Sequence, residues 1–106
     1  MFEALDTAHR MIQALRGPVQ GLRRRDPDLH RQIKRAANSV TMNLAEGRRR
    51  AGKDRLHLWR VAAGSAAEVR SALRNGIDWG DLEPKELEPV LELLDRVIAM
   101  TWTMTR

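Results

Sequence analysis

The stretch GRRRAGKD, Gly47 to Asp54, sets a glycine, four residues and then Gly52-Lys53 in a row. It is one residue short of the phosphate-cradling pattern G-x-x-x-x-G-K-[ST]. In that pattern backbone amides hold the phosphates, the lysine reaches the outer ones and the final hydroxyl holds magnesium. The chemistry needs a strand before the first glycine and a helix after the lysine. Here the residues before Gly47 carry apolar side chains at helical spacing. The hydroxyl position is Asp54, whose carboxylate would face the phosphate. A nucleotide cradle is therefore excluded by context. The two glycines read instead as chain geometry: Gly47 as a left-handed residue ending one helix, Gly52 as freedom before the next. Cations at a helix C-terminus complement the macrodipole, which accounts for one or two arginines. Arg48, Arg49, Arg50, Lys53 and Arg55 exceed that need, and like charges so close repel unless an anion relieves them.

No other group of residues has the spacing of a catalytic or metal site. His9, His30 and His57 are scattered, without two ligands one helical turn apart, and read as surface or rim histidines. Ser65 follows Gly64 but lacks the strand-turn-helix elbow of a nucleophile, so it reads as a small packing residue. Asn38, Ser39, Asn43 and Glu46 resemble a catalytic cluster, although polar residues on helix flanks ordinarily form interhelical hydrogen bonds or caps. Trp59 and Trp102 fall on or beside apolar seams and are expected in the core. Trp79, next to Gly80, is the one tryptophan expected to be exposed and able to stack a base. Cysteine is absent, which removes disulfides and thiolate chemistry. The expectation is a protein that is not an enzyme and holds no cofactor and no metal.

The elements that would position the basic residues follow from apolar spacing. Leu5, Ala8, Ile12, Leu15, Val19 and Leu22 step by three and four, through Gly17-Pro18. The first helix is expected over residues 3–24 with a bend at Pro18. Asp26-Pro27 stops it and starts the next, with Asp26 as cap and Pro27 in the first helical position. Leu29, Ile33, Ala36, Ala37, Val40 and Leu44 predict a second helix over 27–46. Trp59, Ala62, Ala66, Val69, Leu73 and Ile77 predict a third over 53–79, with Asp54 as candidate cap, Asn75-Gly76 inside it and Gly80 as the stop. Leu87, Val90, Leu94, Val97, Thr101 and Met104 predict a fourth over 84–104, its first turn separate or kinked at Pro89. These are the elements of an all-α, antiparallel up-down four-helix bundle filling residues 1–106 as a single domain.

The third helix carries more apolar surface than one seam requires. Leu58, Val61, Ser65 and Ala72 form a second stripe, Met42 lies opposite Ile33 on the helix before it, and Ala62 to Glu68 is nearly all small side chains. A helix apolar on two faces needs a second partner, so these five residues are the expected interface of a homo-oligomer.

Charge is distributed unevenly. The chain has 19 Lys+Arg against 14 Asp+Glu and a net charge of +5. Residues 1–53 hold 12 of those cations and 5 of the anions, a balance of +7, leaving 7 against 9 for residues 54–106. Arginine far outnumbers lysine, and its planar fork suits phosphate. A basic half points to an anionic polymer, here the backbone of DNA or RNA held without base readout. The primary candidates are Arg48, Arg49, Arg50 and Lys53. Arg23, Arg24 and Arg25 at the end of the first helix follow, with Arg31, Lys34 and Arg35 on the second. They form either one stripe along the second helix or two patches. No stretch approaches the ~18 apolar residues of a membrane span. The first residues lack the basic and apolar regions of a signal peptide. A cytoplasmic protein is expected.

The run from Arg31 to Leu73 resembles a family. It is similar to the bacterial four-helix-bundle proteins found as reading frames in intervening sequences of large-subunit ribosomal RNA genes. These share a family with the accessory variability determinant of diversity-generating retroelements. Gln32, Ile33, Arg35, Ala36, Ser39, Val40, Asn43, Leu44, Ala45, Glu46 and Gly47 match the family's first block. Ala62 or Ala63, Gly64, Ser65 and Glu68 match its second. The resemblance implies a four-helix protomer in a homopentameric ring with no catalytic activity. For the retroelement branch it implies binding of nucleic acid and of a reverse transcriptase. Gly17-Pro18 departs from that family's unbroken first helix.

Overall fold

The computed structural model describes residues 1–106, and all of the regular structure is helical. Helix α1 spans Glu3–Val19, α2 Leu22–Arg25, α3 Pro27–Arg48, α4 Gly52–Asp78 and α5 Glu88–Thr105, with a 3-10 turn at Pro84–Leu87 before α5. At 1.5 Å per residue the 27-residue α4 is about 40 Å long. That matches the long axis of the molecule, whose extents are 42 × 22 × 20 Å.

Local chemistry explains most boundaries. Pro18 cannot donate to the Ala14 carbonyl, and two residues on the Gln20 N–H bonds to the Gly17 carbonyl at 3.2 Å, three residues back instead of four, a tightened turn. The first helix therefore stops at Val19 and restarts at Leu22, where a continuous bent helix to residue 24 was expected. The Asp26 carboxylate accepts from Leu29 N–H at 3.1 Å, with Pro27 in the first turn, as its sequence predicts. Removing that cap with Asp26→Ala is expected to cost about 1 kcal/mol, read as a lower denaturation midpoint with an unchanged m-value.

Asp54 does not cap α4. The cap position is Ala51 and Asp54 sits, exposed, in the first turn, where its charge still suits the helix dipole. Gly52 precedes it with φ of +60°, the freedom expected of it. At the far end, Gly80 (φ +80°) donates to Ile77 and Asp81 donates to Gly76, both at 2.9 Å. This is a Schellman closure, and it folds Leu82 back onto Gly76. Asn75-Gly76 lies inside α4, as expected. At the start of the last helix the first turn is separate: a 3-10 turn over Pro84–Leu87, with Pro89 in the first turn of α5.

The seams of α3, α4 and α5 lie where the spacing puts them: Ile33, Val40, Leu44, Val69, Leu73, Leu94 and Val97 are buried. On α1 the buried row is Ala4, Ala8, Met11 and Leu15, and Leu5 and Ile12 are only half-buried. Met11 and Ile12 are one step apart and equally apolar, so spacing alone could not choose between their faces. Trp102 is 64% exposed, against its expected place in the core. Thr101 takes the buried position instead, bonding its hydroxyl to the Val97 carbonyl at 2.9 Å.

Residue pairs fix the directions of neighbouring helices. Along α3 and α4, Leu44 meets Trp59, Ser39 meets Ser65 and Arg35 meets Glu68. Along α4 and α5, Arg60 meets Thr105 and Arg70 meets Asp95. In each pairing one number rises as the other falls, so these neighbours run in opposite directions. No helix is long and apolar enough to cross a membrane.

Candidate nucleic-acid interface

The loop between α3 and α4 is built around a glycine that is helical, not left-handed. Gly47 lies buried in the last turn of α3 with no positive φ, so it does not terminate that helix by conformation. It is there because of what touches it: a Cβ at Gly47 would stand 2.5 Å from Trp59 Cδ1 and 2.6 Å from Nε1. The Cδ1–Nε1 edge of the indole occupies the place of the missing side chain, and Nε1 donates to the Leu44 carbonyl at 3.3 Å. Phe2 packs on the indole with ring centroids 5.6 Å apart.

Two arginines flanking the loop, Arg48 and Arg55, are absorbed into this joint. Arg55 donates to the Gly47 carbonyl (3.1 Å) and the Arg48 carbonyl (3.0 Å), closing the end of α3, and its guanidinium lies 5.3 Å from the Trp59 ring centre. Arg48 lies 5.5 Å from the Phe2 ring centre. Arg50 pairs with Glu46 at 2.9 Å, largely in solvent. Arg49 and Lys53 are exposed and take part in none of the six ion pairs. The excess charge inferred from the sequence is thus partly structural. Spacing could not reveal the capping role of Arg55, because its acceptors are carbonyls seven and eight residues back.

The second group of cations sits at the other pole. Arg25 donates to the Asp81 carbonyl at 3.1 Å, which ties α2 to the turn after α4. Arg31 pairs with Asp28, and Arg35 with Glu68 at 2.7 Å. Arg23, Arg24 and Lys34 are exposed and unpaired. Lys34 and Arg48 are 14 residues apart on one helix, about 21 Å along its axis. The basic residues therefore form two patches, and the exposed Met42 lies between them.

Near the α2 pole a groove of about 990 Å³ opens between α1 and α3. Arg16, Arg23, His30, Arg31 and Lys34 line it, and no carboxylate does. Arg16 stands apart from the basic runs of the sequence, and His30 has there the look of a rim histidine only. Both lie within cationic surroundings that only the packing of α1 on α3 creates. Burial, and then the charges of Arg23 and Lys34, hold the His30 pKa below its ordinary 6.5.

Ser39 and Asn43 on α3 are structural. Ser65 donates to Ser39 at 2.7 Å across the α3–α4 seam, and Asn43 donates to the Ser39 carbonyl at 2.8 Å. Ser65 is therefore buried within this chain, as is Ala72 in the core. Neither belongs to a second, outward face, because the close approach of α3 covers that flank of α4. Of the five residues expected at an interface, Met42 (68%) and Val61 (37%) are exposed and Leu58 is half-buried. Trp102 and the 78% exposed Trp79 add apolar surface that no neighbour covers.

A family model described as 23S rRNA-intervening sequence protein matches residues 3–103. No curated relative matches the chain.

Proposed function

The chain belongs to the 23S rRNA-intervening sequence protein family, and from that premise we propose a non-catalytic, oligomeric, up-down four-helix-bundle module that binds nucleic-acid backbone without reading sequence. One observation carries this reading, the partition of free charge. In the second half of the chain Arg70, Arg74 and Arg96 are matched to Asp95, Asp78 and Glu3. Arg10, Arg16, Arg23, Arg24, Lys34, Arg49 and Lys53, all within residues 1–53, have no ion pair and no side-chain hydrogen bond. In residues 54–106 only Lys85 and Arg106 are left so, Arg55 and Arg60 being bonded to carbonyls. Arginine-rich surface without acidic partners attracts a polyanion by charge and releases its counterions on binding.

The opposed pairings along α3, α4 and α5 support the up-down order. Exposed Met42, Val61 and Trp102 support self-association, since large apolar side chains left in water at several positions favour a partner surface. On the family resemblance, the assembly we propose is a pentameric ring in the cytoplasm. The family's retroelement branch extends the reading to a reverse-transcriptase partner, which co-purification with a co-expressed retroelement reverse transcriptase tests.

Direct titration tests the core of the proposal. Mixed-sequence DNA and RNA should bind alike, roughly 10- to 100-fold more weakly at about 200 mM salt than at 50 mM. Light scattering should give a mass well above one chain at micromolar concentration. A protein that assembles but shows no salt-sensitive binding is a scaffold, and the nucleic-acid reading then fails.

A further inference from the structure

We propose that the groove between α1 and α3 is a binding site for one strand's phosphodiester backbone, separate from the Arg48–Lys53 loop, and that His30 takes up a proton when the strand is seated. This rests on the reading that the chain binds nucleic-acid backbone. The groove draws its cations from three elements, Arg16 from α1, Arg23 from α2, Arg31 and Lys34 from α3. The nearby carboxylates are already engaged: Asp26 caps Leu29 and Asp28 pairs with Arg31. Arg16, Arg23 and Lys34 therefore face the groove unneutralised. Gln13, Gln20 and Asn38 add uncharged amides along the same walls, able to hold phosphate or sugar oxygens without adding charge. A furrow between two adjacent helices is shaped to seat one backbone at a time.

His30 sits among these groups. Arg16 faces the groove from α1, Arg23 from α2, Arg31 and Lys34 from α3, and Asp26 lies one turn back on α3 with its carboxylate on the Leu29 amide. Burial and the flanking cations keep the imidazole neutral near pH 7 in the empty groove. A phosphate seated there reverses the local field and favours the imidazolium, so the His30 pKa rises on binding. Binding then consumes a proton at any pH between the free and bound values. Affinity rises as pH falls through the bound value and levels off below the free one. An acidic polypeptide would behave differently, because its carboxylates begin to protonate toward pH ~4.3 while a phosphodiester keeps its charge. Arginine's planar fork also suits phosphate.

The test uses the full chain and an oligothymidylate of about 20 nucleotides, whose bases do not titrate in this range. Anisotropy titrations should show affinity rising roughly three- to tenfold from pH 7.5 to 5.5, for uptake of up to one proton. His30→Gln should flatten that profile. Arg16→Gln combined with Lys34→Gln should lower the salt slope by about 1.4, with an unchanged melting temperature. The wild-type His30 ring proton, followed by NMR, should report a higher pKa with oligonucleotide bound, a readout that needs no variant. If wild type binds no oligonucleotide even at low salt, both the functional reading and this site fall. If binding persists but the groove variants and the His30 pKa do not move, the site is overturned while the functional reading stands. Polyglutamate bound as tightly as the oligonucleotide would also overturn it, in favour of an acidic protein partner.

Discussion

Gly47→Ala is expected to destabilise the protein by about 2–4 kcal/mol, combining overpacking with a weakened buried hydrogen bond. The added methyl would stand 2.5 Å from Trp59 Cδ1, and an indole ring, unlike a flexible side-chain end, cannot bend away. Trp59 would have to leave its place between Gly47 and Phe2. Its hydrogen bond to the Leu44 carbonyl and the Arg55 guanidinium over its face would loosen with it. Against a total stability of roughly 5–15 kcal/mol, that loss should lower the melting temperature by about 10–20 °C. Gly64→Ala is the matched control. No atom lies within 4 Å of a Cβ there, and its φ is not positive. Alanine in that open helical position should be neutral or stabilise by about 0.5–1 kcal/mol. Equal melting temperatures for Gly47→Ala and wild type would show that the indole is not seated on Gly47.

The second large effect is on binding. Converting Arg48, Arg49 and Arg50 together to glutamate should weaken binding to DNA and RNA of any sequence on the order of 100-fold at about 50 mM salt, with the salt slope reduced by roughly 2–3. The loss should be the same across unrelated sequences, because phosphate contacts carry no base information. The structure refines which arginine matters most. Arg49 has no partner, Arg50 shares its charge with Glu46 in solvent, and Arg48, an exposed residue, sets its guanidinium over Phe2. An exposed ion pair contributes only about 0–1 kcal/mol, so breaking Arg50–Glu46 should leave the fold intact. The control reverses Arg70, Arg74 and Arg96, which changes net charge equally at positions already matched by acids. A loss as large in the control would mean that net charge alone drives binding and that the loop is no site.

Much of the fold was legible because helical periodicity is a local signal. Ile33, Val40 and Leu44 repeat at three and four on α3, as do Val69 and Leu73 on α4, and all are buried. Capping is local too: Asp26 needs only Leu29 three residues on, and Gly80 closes α4 through residues within five of itself. The α1 seam was less legible, since apolar residues at both 11 and 12 make two faces equally plausible. Of the candidate site, the basic residues themselves were visible as a run of letters. Which of them are free was not, because the groups that engage them are far along the chain, as with Arg35 and the Glu68 carboxylate or Arg25 and the Asp81 carbonyl.

GRRRAGKD shows the division most clearly. The sequence by itself excluded a nucleotide cradle, since helix-forming residues on both sides leave no strand to carry one. It also determined the family blocks and the cationic excess of the first half, properties of residue identity and short-range order. Only the tertiary structure decided what Gly47 is for, that Arg55 closes α3, and that Arg16 joins Arg23, His30 and Lys34 around one groove. Those relations depend on how two helices approach each other. A side chain's charge is written in its own letter, but whether an opposite charge, an indole or open water meets it depends on a neighbour tens of residues away.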